Sequence, residues 1–408
     1  MRRRSGLVLF AAVLGPGLLA GLSDDDPAGI TTYSILGADY GYRLLWVLAL
    51  STVGLVLFHE LGARMGVVTG QGLAGLVRYR YGVRVGLAAM LALLVANIGT
   101  AAAEFAGIAA ALELAQVPRW LSAPVAAGAI AFLVLRGTFS RIEHVLIAAC
   151  SVFAAYVLAA VLADPNWGDA ARGLVVPTLP ATSDALLAAT AVVGTTLAPW
   201  GLSFIQSYAV DKRLHPRDLR YERVDVVAGA LLTGLIGFCV VVASAATLHA
   251  QGRSIEDAAD AAVALEPVAG RFASVLFAAG LLGAGLIAAA ILPLSTAYSV
   301  SELAGSEAAL DDSFREAPLF YTTYFVVIAA AVGLVVAPGV PLVQVLYLTQ
   351  ALNAILLVPL LVLVLGLARD RELMGVHALG PIGTAVTAAT IALIGACVAA
   401  LGVLSAVR

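Results

Sequence analysis

Apolar residues run along this chain in long blocks rather than in alternation with polar ones. Windows of about 20 residues, the length a helix needs to cross a bilayer, mark eleven such blocks: 6–36, 43–64, 85–112, 119–136, 143–163, 184–210, 224–249, 272–299, 318–337, 342–367 and 380–406. The first and sixth are broken by polar or proline-containing stretches. Strands of a membrane barrel would alternate apolar and polar positions, and these blocks do not. The pattern predicts an all-α polytopic membrane protein forming one transmembrane domain over 1–408, with little chain left between spans for a soluble domain.

The sharpest interruption is Ser23-Asp24-Asp25-Asp26-Pro27-Ala28-Gly29. It follows an uncharged run over 7–22 and precedes a mostly apolar one. Ionised groups at that depth cost several kcal/mol, so they are expected to face a cavity or an ion. Proline removes a backbone donor and glycine relaxes the backbone, so the helix should unwind there and leave carbonyls free beside the acids. The sixth block repeats the device at Thr195-Thr196-Leu197-Ala198-Pro199-Trp200-Gly201. Two broken helices in matching positions are the sequence mark of a secondary transporter with a midplane site. They divide the chain into five-span inverted repeats over about 6–163 and 184–367, with 380–406 as an extra helix. A cleaved signal peptide over 1–22, which Arg2, Arg3 and Arg4 ahead of an apolar core would also suit, is set aside because its removal would destroy half of this symmetry.

Composition narrows the class. Only 12% of residues are charged and the mean hydropathy is +0.99, which excludes a water-soluble globule. Placing the N-terminus in the cytoplasm puts 17 of the 23 basic residues inside, as the positive-inside rule favours, so a multi-pass cell-membrane protein of that orientation is expected. The net charge of −3 gives no sign of nucleic-acid binding, and Cys150, Cys239 and Cys397 lie in separate apolar blocks as small packing residues. No Ser/His/Asp arrangement, Cys/His cluster or nucleotide loop points to an enzyme.

Other polar residues inside the spans have two readings each. Asn97, Thr100, Glu104 and Gly107 share one helical face. Glu104 is either a protonated partner of a neighbouring helix or part of an ion or proton route. Gln206, Gln350 and Asn353 fit interhelical hydrogen bonding or contact with solute. Glu60 and Arg64, four apart near a helix end, predict an interfacial ion pair, with gating as the alternative. Residues 66–84 read as a glycine-punctuated basic loop, and Ala126, Ala127, Gly128 and Ala129 as a close helix contact.

Several of these stretches resemble the natural resistance-associated macrophage protein (Nramp) family of divalent metal transporters. The broken first helix is similar to that family's Asp-Pro-Gly-Asn signature. Tyr40-Gly41-Tyr42-Arg43-Leu44-Leu45-Trp46, residues 60–70, Ala103-Glu104-Phe105-Ala106-Gly107 and Leu373-Met374-Gly375 resemble further segments, and Ala198-Pro199-Trp200 stands where the family has Met-Pro-His. The resemblance implies a LeuT-like inverted-repeat transporter of eleven or twelve helices, working by alternating access, with Asp26 at the position of the metal-binding Asp. Gly29 replaces the family's binding Asn and Ala198 its thioether ligand. Trp200 and Ile205 replace two histidines, and Ala101 an acid of the proton route. This combination is similar to the Nramp-related magnesium transporters, which implies a wider, hydrated site without proton coupling.

The expectation is therefore uptake of divalent cations, Mg2+ first and Mn2+ second, by a protein in the lipid bilayer, monomeric and without a resident cofactor. Asp26 would anchor the ion. Asp25 and Asp24 would act as outer acceptors or an electrostatic funnel, the carbonyls of Ser23 and Thr195 would supply further oxygens, and small Gly29 and Ala198 would leave room for the waters that magnesium keeps. Transport of a small organic solute is the main alternative, since a half-helix N-terminus near Gly29 or Gly201 could receive a carboxylate. A non-transporting sensor on the same fold is the third reading.

Overall fold

A computed structural model describes residues 24–136, 154–256, 258–266, 270–306 and 314–406. The chain is helical throughout these residues. Its α-helices are α1 (Pro27–Tyr40), α2 (Leu45–Thr69), α3 (Leu73–Tyr81), α4 (Val83–Glu113), α5 (Arg119–Arg136), α6 (Ala154–Leu162), α7 (Trp167–Val175) and α8 (Ser183–Thr196). They continue with α9 (Pro199–Asp211), α10 (Leu219–Thr247), α11 (Ala258–Ala262), α12 (Ala273–Ala304), α13 (Pro318–Val336), α14 (Leu342–Ala368), α15 (Arg371–Met374) and α16 (Pro381–Ala406). Among the described residues, eight stretches are long and apolar enough to cross a membrane, and α5 is a slightly shorter apolar helix.

The two interrupted spans lie at the centre. Residues Ser183–Asp211, the α8–α9 pair, are 94% buried over their apolar window, against 22% for the peripheral α16. A surface helix needs a polar face toward water, whereas this pair buries nearly its whole window, the polar residues included. α1 packs against α10, α8, α14 and α4, and α8 against α14. Two glycines set these distances. A methyl on Gly194 of α8 would lie 1.8 Å from the Gln350 carbonyl oxygen of α14, and one on Gly37 of α1 would lie 2.4 Å from the Val241 carbonyl oxygen of α10. Backbones approach this closely only where there is no side chain.

Both breaks begin a new helix in the same way. Pro27 opens α1 and Pro199 opens α9, where the missing proline N–H costs nothing because first-turn donors have no intrahelical acceptor. Upstream the cost falls on an acceptor: the Thr195 carbonyl would have bonded the N–H of residue 199, which proline lacks.

Two sequence expectations change, at 73–81 and at 126–129. Residues 73–81 form a helix rather than a loop, because Leu73, Ala74, Leu76 and Val77 make a buried face at helical spacing. Residues 167–175 also form a short helix, α7, capped by Asn166, whose side chain accepts from the N–H groups of Gly168 and Asp169. On α5 only Ala126 of the small-residue run is buried, while Gly128 and Ala129 are exposed and a methyl on Gly128 would touch nothing. The expected helix contact is therefore confined to Ala126 and Ala127, and Gly128 and Ala129 face outward.

Candidate cation site at the two helix breaks

The Asp26 side chain caps α1, its Oδ1 accepting the N–H of Gly29 at 2.5 Å. Around Gly29 the two breaks meet. A methyl there would lie 2.8 Å from the Asp24 carbonyl oxygen and 3.3 Å from both Asp26 Oδ1 and Thr195 Oγ1. This crowding explains why no asparagine stands at position 29: its Cβ would strike the backbone of the first break. Carboxylate, carbonyl and hydroxyl oxygens thus converge on one point, and the Thr195 hydroxyl has no hydrogen-bond partner of its own. Tyr33 Oη and Thr196 Oγ1, 2.9 Å apart, tie α1 to α8 just beside it.

The three consecutive aspartates fan out instead of closing on a shared ion. All are buried, between 0 and 3% exposed. Asp26 meets the carboxyl of Glu104 on α4, without a well-aligned bond that would satisfy either Glu104 oxygen. Asp25 lies on the side of Tyr33 and of Cys239 of α10. The Asp24 carboxylate faces His59 of α2, with Nε2 and Oδ2 4.0 Å apart. Neither oxygen of Asp24 or Asp25 has a hydrogen-bond partner. Among the described residues no arginine or lysine pairs with any of these four acids. Nor do three His, Cys, Asp or Glu side chains form a ready metal cage. Buried charge without a partner is what a cation would compensate. One bound here must take oxygens from backbone, hydroxyl and water as well as from carboxylate.

The remaining predicted residues fall into separate groups. Ser23 lies outside the described residues. Ala198, the N-cap of α9, lines a cavity of about 10 Å3 with Phe58, His59 and Leu202. Trp200 is fully buried, its carbonyl accepting from Ser295 Oγ at 3.0 Å and its indole N–H unpartnered. Asn97 donates to Thr296 Oγ1 at 2.7 Å. Asn353 donates to Thr100 Oγ1 at 2.9 Å and to Gln350 Oε1 at 3.0 Å, which joins α4 to α14. Gln206 donates to the Gln71 carbonyl at 2.9 Å. Glu60 pairs with Arg64, as its spacing predicts, and also with Arg223 of α10 at 2.8 Å.

A polar seam went unread in the sequence. Ser295 on α12 reaches the Trp200 carbonyl, Ser299 bonds Ser203 at 2.7 Å, and Ser207 donates to Glu302 Oε1 at 2.6 Å. These contacts run along α9 and α12 from the break to a cavity of about 780 Å3, lined among others by Gln71, Arg78, Ser207, Asp211 and Glu302. The spacing of 295, 299 and 302, and of 203 and 207, carried the signal, but the glycines and alanines of the same span hid it.

Buried acids at the junction of two broken helices, inside a bundle of apolar spans, define a polytopic membrane protein of the LeuT-like transporter fold. Solved structures agree. The chain superposes on the Eremococcus coleocola manganese transporter with a TM-score of 0.78 at 20% identity, covering 100% of this chain and 89% of that one. It matches Mhp1, a nucleobase-cation-symport-1 family transporter, with a TM-score of 0.62 at 16% identity, covering 96% and 91%. By sequence, residues 17–404 match the family described as natural resistance-associated macrophage protein-like. The divalent metal cation transporter MntH of Burkholderia ambifaria is 30% identical over 96% of this chain and 89% of its own length, and that of Verminephrobacter eiseniae 28% over 92% and 85%. The chain belongs to the Nramp family, whose members are transporters and not enzymes.

Proposed function

We propose that this protein carries divalent metal cations across the cell membrane by alternating access, with Asp26 as the anchoring charge. The observation that supports this most directly is the meeting of Asp26 Oδ1, the Asp24 carbonyl and the Thr195 hydroxyl around Gly29, among buried acids that no arginine or lysine neutralises. The donors at this point are all oxygen, a set that suits magnesium and manganese alike. Magnesium preference follows from the missing thioether at Ala198 and the small residues beside the site, since magnesium sheds its waters reluctantly. Manganese is the second ion, supported by the similar solved structure being that of a manganese transporter.

In this reading the inverted repeats span about 6–163 and 184–367 and the N-terminus is cytoplasmic. The 780 Å3 cavity then opens to the cytoplasm. Trp200, Ile205 and Ala101 offer no protonatable side chain, so uptake is not coupled to protons. The membrane potential, worth about 2.3 kcal/mol per charge per 100 mV, supplies about twice that for a divalent ion.

The test is uptake into proteoliposomes carrying magnesium-, manganese- and pH-sensitive dyes, for wild type and Asp26→Ala. Cation uptake that follows the imposed potential without acidification, and is lost in Asp26→Ala, is expected. Silence for both ions in folded wild-type protein overturns the reading and turns attention to organic solutes.

A further inference from the structure

One cluster beside the Asp26 site is unused by that reading. Asp24 looks in two directions: its carbonyl faces the Gly29 point, while its carboxylate faces His59 on α2. Gly201 lies beside both side chains. A methyl at that position, at the start of α9, would lie 3.1 Å from His59 Nε2 and 3.5 Å from Asp24 Oδ1. Both side chains are buried, Asp24 at 1% and His59 at 2% exposure. Both Asp24 oxygens and His59 Nδ1 lack hydrogen-bond partners. At 4.0 Å, Nε2 and Oδ2 are too far apart to hydrogen-bond each other. For metal–ligand bonds of about 2.1 Å, two donors to one ion lie roughly 3.0 Å apart when adjacent and roughly 4.2 Å apart when opposite. The observed separation of 4.0 Å falls between these two limits, so a small shift of either side chain would bring both donors onto one ion.

We propose that His59 and Asp24 form a second cation station next to the Asp26 site, giving a transported metal one nitrogen ligand. The inference rests on the divalent-cation reading and adds a basis for choice between ions. Imidazole suits first-row transition metals, whereas magnesium holds to oxygen donors and water. Oxygens around Gly29 admit both ions, and the nitrogen one step away favours manganese. His59 thus supplies selectivity that a sulfur at position 198 would otherwise provide.

The experiment is electron spin-echo envelope modulation on purified full-length protein loaded with Mn2+ alone, for wild type and His59→Gln. Bound Mn2+ showing 14N modulation in wild type, with the modulation lost and bound Mn2+ retained in His59→Gln, is expected. In proteoliposomes His59→Gln should then lower the ratio of manganese to magnesium uptake. Bound Mn2+ without 14N modulation in wild type overturns the second station and leaves the divalent-cation reading standing. Modulation that persists unchanged in His59→Gln overturns it equally, by assigning the nitrogen to another of the five histidines. Absence of any bound Mn2+ in folded wild type removes the station and, if magnesium also fails to bind, the divalent-cation reading with it. Wild-type Mn2+ bound without 14N modulation overturns the station even if His59→Gln fails to fold.

Discussion

Replacing Glu302 by alanine should loosen one corner of the molecule and leave the rest intact. Glu302, half-buried at the end of α12, accepts a hydrogen bond from Ser207 of α9 at 2.6 Å. Its carboxylate also faces the first-turn N–H groups of Ala74 and Gly75 on α3. It sits so close over that helix start that a methyl on Gly72 would lie 1.7 Å from Oε1. One acid thus joins three helices. A hydrogen bond to a charged group contributes about 1.5–3 kcal/mol, and partial exposure places this one at the low end. A carboxylate at a helix N-terminus adds about 0.5 kcal/mol. The total of about 2 kcal/mol corresponds to roughly 30-fold more frequent local opening. Hydrogen exchange read by mass spectrometry should therefore show amides of α3 and of the end of α9 exchanging roughly 30-fold faster in Glu302→Ala, with α14 unchanged. Glu302→Gln keeps an acceptor oxygen but loses the charge, so it should fall between. Unchanged exchange in α3, or an equal rise in every helix, would refute the argument that this acid is a local latch.

Two further predictions concern packing. Gly194→Ala should lower thermal stability in detergent by about 3 kcal/mol, since the added carbon meets the Gln350 backbone and neither helix has a flexible side chain to yield; a shift indistinguishable from wild type would mean the helices separate easily. In a double-mutant cycle, Thr100→Val and Asn353→Leu should show a coupling of about 1 kcal/mol in thermal unfolding, and simple additivity would mean that their 2.9 Å hydrogen bond contributes nothing.

The spans and the two breaks were legible because membrane insertion demands long apolar blocks, and a proline inside one is conspicuous. Asp26 and Thr195 stand out in the sequence for the same reason, polar atoms at that depth needing an explanation, but the expected oxygen of Thr195 is its carbonyl, whereas its hydroxyl is what faces Gly29. The destination of Asp24 and Asp25 was not legible. Consecutive residues at a helix start point in different directions, and only the placement of α2 and α10 shows what each meets. His59 was passed over because its neighbour Glu60 has an obvious partner four residues on, whereas the partner of His59 is 35 residues away in the chain. Helix α3 was missed because glycines and arginines obscured a short apolar face, and because the acid facing its N-terminus is contributed by Glu302, more than two hundred residues downstream.

The cap on α1 bears on how firmly an ion could be held. Asp26 Oδ1 accepts the Gly29 N–H. An arriving cation must share that oxygen or displace the amide, and a departing one leaves a carboxylate whose hydrogen bond re-forms at once. In the proposed cation site the helix end would therefore compete with the cargo for the lone pairs of that oxygen. On the proposed reading it would limit the residence time of an ion and keep the helix end from fraying, so turnover would be favoured over tight storage.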